Sequence, residues 1–146
     1  MLYDAADDPE TLSTDELLAT YAAELRTVVD DVGVDTVVAK TDLDRETVEA
    51  VADEDVSTVS DLTVEEAAAI LAVSEEYPDE RGIVLEVRDH LLMGMTTAVL
   101  DVDTIAANID VDLTGQEVQQ AIEGRTPMTL AEFAAIHGLI AERKDR

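Results

Sequence analysis

The octapeptide TVEEAAAI, residues 63–70, returns 66 positions later as TLAEFAAI, residues 129–136. Each copy opens with Thr three residues ahead of Glu (Thr63 and Glu66, Thr129 and Glu132). At that spacing the hydroxyl accepts the backbone N–H of the third helical residue, while the Glu carboxylate reaches back to the N–H of the Thr. The Ala and Ile that follow recur at helical spacing, so each octapeptide reads as the first turns of an amphipathic helix. A third box of the same kind, Ser13 with Glu16, precedes Leu17, Leu18, Tyr21, Ala22, Leu25, Val28, Val29 and Val32, which share one helical face.

Working outward from these starts, a long helix is expected over 14–32, ended by Gly33, with short helices over 35–40 and 45–52, the latter capped by Asp44. An acidic, Ser/Thr-rich loop leads to a helix over 64–76, stopped by Pro78. A second long helix is expected over 79–99, apolar on most sides and so the most buried element. Short helices follow over 102–108 and 115–123, the second capped by Thr114 and ended by Gly124, and a last helix runs to about residue 143. No strand-like alternation is present. The order is long, short, short, medium, twice. Val34-Asp35-Thr36 also recurs as Val102-Asp103-Thr104. Acidic, Ala-rich helices match one another by composition, but shared capping boxes in a shared order favour duplication. The expectation is an all-α fold of two tandem four-helix units packed as one, residues 1–77 and 78–146, with residues 1–12 a polar arm.

Thirty-five acidic residues oppose nine basic ones, for a net charge of −26, and the acids are spread along the chain rather than massed in a tail. Only Lys40 and Lys144 are lysines. Such an acidic, Lys-poor, Val/Ala/Thr-rich chain resembles the cytoplasmic proteins of salt-in haloarchaea, and so is expected to need high salt (K+). Cysteine is absent, which removes disulfides, thiolate catalysis and Cys-based metal sites. No apolar run approaches membrane-spanning length, and MLYDAADDPE lacks the pattern of a secretory signal, so a cytoplasmic location is expected.

Within each half the short helices carry a looser motif. Val38, Asp42, Leu43, Asp44 and Val48, and again Ala106, Asp110, Val111, Thr114 and Val118, fall where the phage-repressor-like helix-turn-helix family places its small, turn, apolar, capping and apolar residues. EGRTPMTLAEFAAI, residues 123–136, is similar to the stretch that closes the recognition helix of that family. The resemblance covers about 40 residues per half, and the whole chain resembles a haloarchaeal family of unknown function with such repeats. It departs from the family at the turn: Asp42 and Asp110 replace the Gly that a positive φ favours, a conformation Asp tolerates better than most residues.

The first candidate recognition helix carries Glu46, Glu49 and Asp53 with Arg45 as its only cation, and would repel a duplex. The second is better equipped. Gln116, Gln119 and Gln120 have the chemistry to read adenine edges and Arg125 to meet a phosphate, although Gln is equally a solvated helix-surface residue. His90 and His137 lack metal-ligand spacing and read as packed side chains. Asp42, Asp44 and Glu46 lack the Gly and closing Glu of a calcium loop. Gly94, between Met93 and Met95, reads first as core packing and second as a close crossing at a dimer seam.

No catalytic residue, cofactor or metal site is expected, and the chain does not read as an enzyme. The leading expectation is a non-catalytic helical module for protein–protein contacts or self-association. The alternative is a sequence-specific DNA-binding regulator acting through Gln116, Gln119, Gln120 and Arg125. The first requires an exposed apolar patch. The second requires Arg125, Arg45 and Arg26 or Arg88 to gather beside the second recognition helix.

The charge generates a direct test. Raising KCl from about 0.1 M to about 2 M shortens the screening length from about 10 Å to under about 3 Å, so the thermal midpoint of unfolding should rise steeply across that range. A midpoint independent of salt, followed by circular dichroism, would contradict the solvation reading of the acids.

Overall fold

A computed structural model describes residues 1–144. Its helices are α1 (Thr14–Val32), α2 (Val34–Lys40), α3 (Arg45–Ala52), α4 (Val56–Asp61), α5 (Val64–Leu71), α6 (Glu80–Ala98), α7 (Val102–Asn108), α8 (Gly115–Ile122) and α9 (Leu130–Lys144). Among the described residues there is no strand, and the fold is all-α. The three expected capping boxes form, each with paired bonds of 2.9–3.1 Å, and Thr114 with Glu117 makes a fourth.

The entries to α5 and α9 meet. Thr63 and Thr129 face each other across an isolated antiparallel bridge. Val64 N–H donates to the Met128 carbonyl at 2.8 Å, and Leu130 N–H donates to the Leu62 carbonyl at 2.7 Å. Each bond is the counterpart of the other when the two octapeptides are exchanged. Leu62, Val64, Met128 and Leu130 are all buried, so the bonds sit in low dielectric where leaving either group unpaired would be costly. From this junction α9 runs through the middle of the molecule, packed on α1 and α6 and touching α4 and α7. It buries Leu130, Phe133, Ala134, Ala135, Ile136, His137, Leu139 and Ile140.

Several expectations need correction. The most buried helix is α9 and not α6, which buries only Ile83, Val87, Leu91 and Gly94. Those four lie on one stripe, and Leu85, Leu92 and Met93 face solvent. Residues 1–12 are not a free polar arm. They form two 3-10 turns, Leu2–Asp4 and Pro9–Thr11, with Leu2 fully buried and the α-amino group of Met1 paired with Asp4 and, at 3.4 Å, Glu24. The loop after α3 contains α4, capped by Asp55 and held by buried Val59. The helix from Val64 stops at Leu71 rather than Glu76: the Val73 and Ser74 N–H groups turn back to the Ile70 and Leu71 carbonyls at 3.2 and 3.0 Å, and the Ser74 hydroxyl then accepts the Glu76 N–H. Neither Asp42 nor Asp110 has positive φ; among the described residues that conformation is confined to Gly33, Glu54, Val99 and Gly124. The Thr41 hydroxyl shapes the first turn instead, donating to the Val37 carbonyl at 2.7 Å and accepting from Leu43 N–H at 3.4 Å.

Gly94 is where α6 and α9 cross closely. A Cβ there would stand 2.6 Å from Cγ2 of Ile140, a buried residue with little room to retreat. Gly94→Ala should therefore destabilise by about 1–3 kcal/mol despite the better helix propensity of Ala. Ile140→Leu in the same chain removes the branched methyl and should recover part of the loss. A stabilising Gly94→Ala in denaturant titration would contradict the crossing.

Candidate interaction surfaces

The helix proposed to read bases is α8. It begins with Gly115 pressed against Asp103 of α7, where a Cβ would collide with the Asp103 carboxylate. It ends in a left-handed Gly124 (φ 77°), with Arg125 N–H returning to the Gln120 carbonyl at 2.8 Å. Val118, Ala121 and Ile122 are buried, which turns Gln116 and Gln119 outward and leaves Gln120 half-buried. Gln119 Nε2 donates to Glu123 Oε1 at 2.9 Å, and Arg125 Nε lies 3.1 Å from Glu123 Oε2. Both oxygens of one carboxylate thus engage two of the four proposed DNA-contacting side chains.

The other cations are engaged separately. Arg26 meets Asp30 and Glu54 at 3.3 and 3.1 Å, and Arg45 meets Asp35 at 2.7 Å. Arg88 of α6 does reach the end of α8. Its guanidinium donates to the Ile122 and Glu123 carbonyls at 3.3 and 2.6 Å, the orphan acceptors of a helix C-terminus. Arg88 and Arg125 therefore approach the same helix end, while Arg26 and Arg45 are held by acids of the first half of the chain.

The residues that sequence reasoning missed lie on the outward face of α6. Leu85, Leu92 and Met93 are 46%, 48% and 71% exposed, and Val99, just past the helix, is 89% exposed. Leu85 and Leu92 are seven apart and so lie on the side of α6 opposite Ile83, Val87 and Leu91, whereas Val99 lies beyond the last helical residue, Ala98. A helix apolar on most sides reads as the most buried element; the seven-residue spacing of Leu85 and Leu92, opposite the buried positions, is the sequence signal that this side faces out. At Met93-Gly94-Met95 the crossing at Gly94 lies within the chain, and Met93 projects into solvent.

Val99 also carries a strained backbone. It is β-branched, yet sits at φ 55°, ψ 53° as the C-cap of α6, with Leu100 N–H bonded to the Met95 carbonyl at 2.9 Å. This is the position a Gly usually fills, as Gly124 does after α8.

The two histidines belong to a continuous ring stack. Tyr3 stacks on His90 (centroids 4.5 Å), His90 meets His137 (5.3 Å), His137 lies parallel to Phe133 (5.3 Å), and Phe133 meets Tyr21 (5.5 Å). His137 is 2% exposed and its Nδ1 has no hydrogen-bond partner. Burial, then the neighbouring His90 and Lys144, push its pKa down to about 4, with a backbone contact to Tyr3 pulling the other way. His90 is lowered too, by burial and by Lys144 against Asp4. A hollow of about 420 Å³ opens beside them, bordered by Asp4, Asp7, Glu10 and Lys144. Among the described residues no group of His, Asp or Glu is placed to hold a metal ion, and no helix is long and apolar enough to cross a membrane.

A folded pKa below the unfolded value means that the contribution of neutral His137 is present above about pH 6.5 and is lost as pH falls towards about 4. Protonating carboxylates relieves repulsion over the same range, so His137→Phe must be compared with the parent chain. Between pH 7 and 4.5 the unfolding free energy should shift in favour of the variant by about 2–3 kcal/mol. A difference that is flat with pH would contradict the buried neutral imidazole.

No curated protein and no solved structure matches the chain. One family profile does, that of a family of unknown function (DUF5791), over residues 17–143. Those residues run from the fourth residue of α1 to all but the last residue of α9, and thus include both surfaces just described. The chain belongs to this family of unknown function.

Proposed function

We propose that the chain is a non-catalytic helical binding module that contacts another protein through the outward face of α6. The observation that carries this reading is the exposure of Leu85, Leu92 and Met93 on α6 and of Val99 just past its end, large apolar groups left in water on a surface otherwise crowded with carboxylates. In this reading the module consists of two tandem four-helix units, residues 1–77 and 78–146, on degenerate helix-turn-helix repeats. The reciprocal bonds joining Leu62 to Leu130 and Val64 to Met128 support a duplication, since equivalent residues meet across one point. It works in the cytoplasm of a halophile, where concentrated K+ screens the net charge of −26. The absence of cysteine, and histidines stacked against rings, argue against catalysis.

The rival reading is a DNA-binding regulator using Gln116, Gln119, Gln120 and Arg125. Arg88 and Arg125 at one end of α8 favour it, and the Glu123 carboxylate weighs against it. A phosphate approaching Arg125 must displace that carboxylate or face its charge.

One experiment separates the two. A photo-crosslinking residue in place of Met93, activated in the native host, should yield a discrete protein adduct, while co-captured DNA shows flat genomic coverage. Discrete genomic peaks that vanish on joint Gln119→Ala and Arg125→Ala substitution, with no adduct at position 93, would overturn the protein-contact reading.

A further inference from the structure

We propose that residues 1–12 form an acid-released strap, closed over His90 and His137 while both imidazoles are neutral and lifted from α6 and α9 when they take up protons. The strap is held by few groups. Leu2 is its one buried residue. Tyr3 stacks its ring on His90 at 4.5 Å and donates its hydroxyl to Glu86 at 3.3 Å. The start of α1 does not need the strap, because the Ser13–Glu16 capping box satisfies that helix end just past Leu12. A segment anchored so sparsely opens at a lower free energy than the helices beneath it.

Beneath the strap lie two imidazoles in contact with rings. His90 sits between Tyr3 and His137, and His137 sits between His90 and Phe133, with centroids 4.5–5.3 Å apart. His90 is half-buried, while His137 is 2% exposed with an unpartnered Nδ1. Charging His137 in the closed form sets an unsolvated cation against a phenyl ring and a second imidazole. Lifting the strap admits water to both histidines, so protons and the closed strap compete.

The charged groups around the rings leave the histidines to set the direction. Asp4, Asp7 and Glu10 of the strap border the same hollow as the rings, with Lys144 of α9. Glu86 of α6 meets Tyr3, and Glu24 of α1 meets the Met1 α-amino group at 3.4 Å. Burial raises Glu24 above the ordinary carboxylate value, against the pull of that amino group. A raised carboxyl holds its proton more tightly closed than open, so acid acting on Glu24 favours closure. The strap acids face a like charge on Glu86 and an opposite one on Lys144, so neutralising them removes a repulsion together with an attraction. His90 and His137 are both lowered, first by burial and with Lys144 adding to it. They take up protons more readily in the open form, so acid acting on them favours opening.

The test is amide hydrogen exchange of the full chain at about 2 M KCl between about pH 7 and about pH 4.5, with rates corrected for intrinsic exchange. The Asp4 and Ala5 N–H groups, bonded to the Met1 and Leu2 carbonyls, report the strap, and those of Ile136 and Leu139 report α9. The strap should be less protected than α9 at neutral pH. Its protection should then fall by up to about fiftyfold, the ratio for one histidine that moves from about 4 when closed to about 6.5 when open. Joint His90→Phe and His137→Phe should abolish that fall. Leu2→Asn, which removes the buried anchor, should bring the His137 titration from about 4 towards about 6.5 by NMR, with helix content retained. That comparison keeps both histidines, so it decides the matter even where the double variant misfolds. Strap protection that is indifferent to pH, or equal to that of α9 throughout, would overturn the proposal. So would a fall that persists without the histidines, or a His137 titration unmoved in Leu2→Asn once the Asp4 and Ala5 amides exchange freely.

Discussion

The helix α9 has to touch α1 and α6 at once, and the rest of the molecule follows from how that is achieved. Its start is clamped by the paired bonds between Leu62 and Leu130 and between Val64 and Met128. Its far end lies against Gly94, where the missing Cβ lets Ile140 approach the backbone of α6. Between these points Phe133, Ile136, His137 and Ile140 are buried with Tyr21, Leu17 and Leu91. The demand on α6 is therefore one-sided. It gives Ile83, Val87, Leu91 and Gly94 to this core and is covered on its flanks by α5 and α8. Among the described residues Leu85, Leu92 and Met93 stay 46%, 48% and 71% exposed, so an apolar surface is left outside.

How much of this was legible in the sequence depended on whether the deciding signal was local. The capping boxes at Ser13, Thr63 and Thr129 act within four residues, and all three form as their spacing implies. The end of α1 at Gly33 was equally local. The end of α5 was not, because the chain tightens into turns after Leu71, with Val73 and Ser74 bonded back three residues, in a stretch whose composition still favours helix. The arm defeated compositional reading for another reason. Asp4, Asp7 and Asp8 face solvent, while Leu2 is buried and Tyr3 is held by Glu86 and His90 of α6, more than 80 residues away in sequence, an interaction that no local pattern announces.

The candidate site was the least legible part. Gln116, Gln119, Gln120 and Arg125 were singled out for their side-chain chemistry, and α8 does turn Gln116 and Gln119 outward. Hydrogen bonding decides what that exposure means, and the Glu123 carboxylate occupies both Gln119 and Arg125. The α6 face erred in the opposite direction. High hydropathy was equated with burial, although apolar groups at two opposed angular positions on a helix require two separate covers. One is supplied by this chain. The proposed binding function is the claim that the other comes from a partner.

The most direct measurement is methyl NMR of the full chain in about 2 M KCl with a soluble nitroxide added, at a concentration where it sediments as a monomer. The account predicts strong paramagnetic broadening of the Met93, Leu92 and Val99 methyls, with Leu91 and Ile83 unaffected. Protection of Met93 and Leu92 equal to that of Leu91 would mean that α6 is covered on both faces by its own chain. The interaction surface, and the function built on it, would then be contradicted.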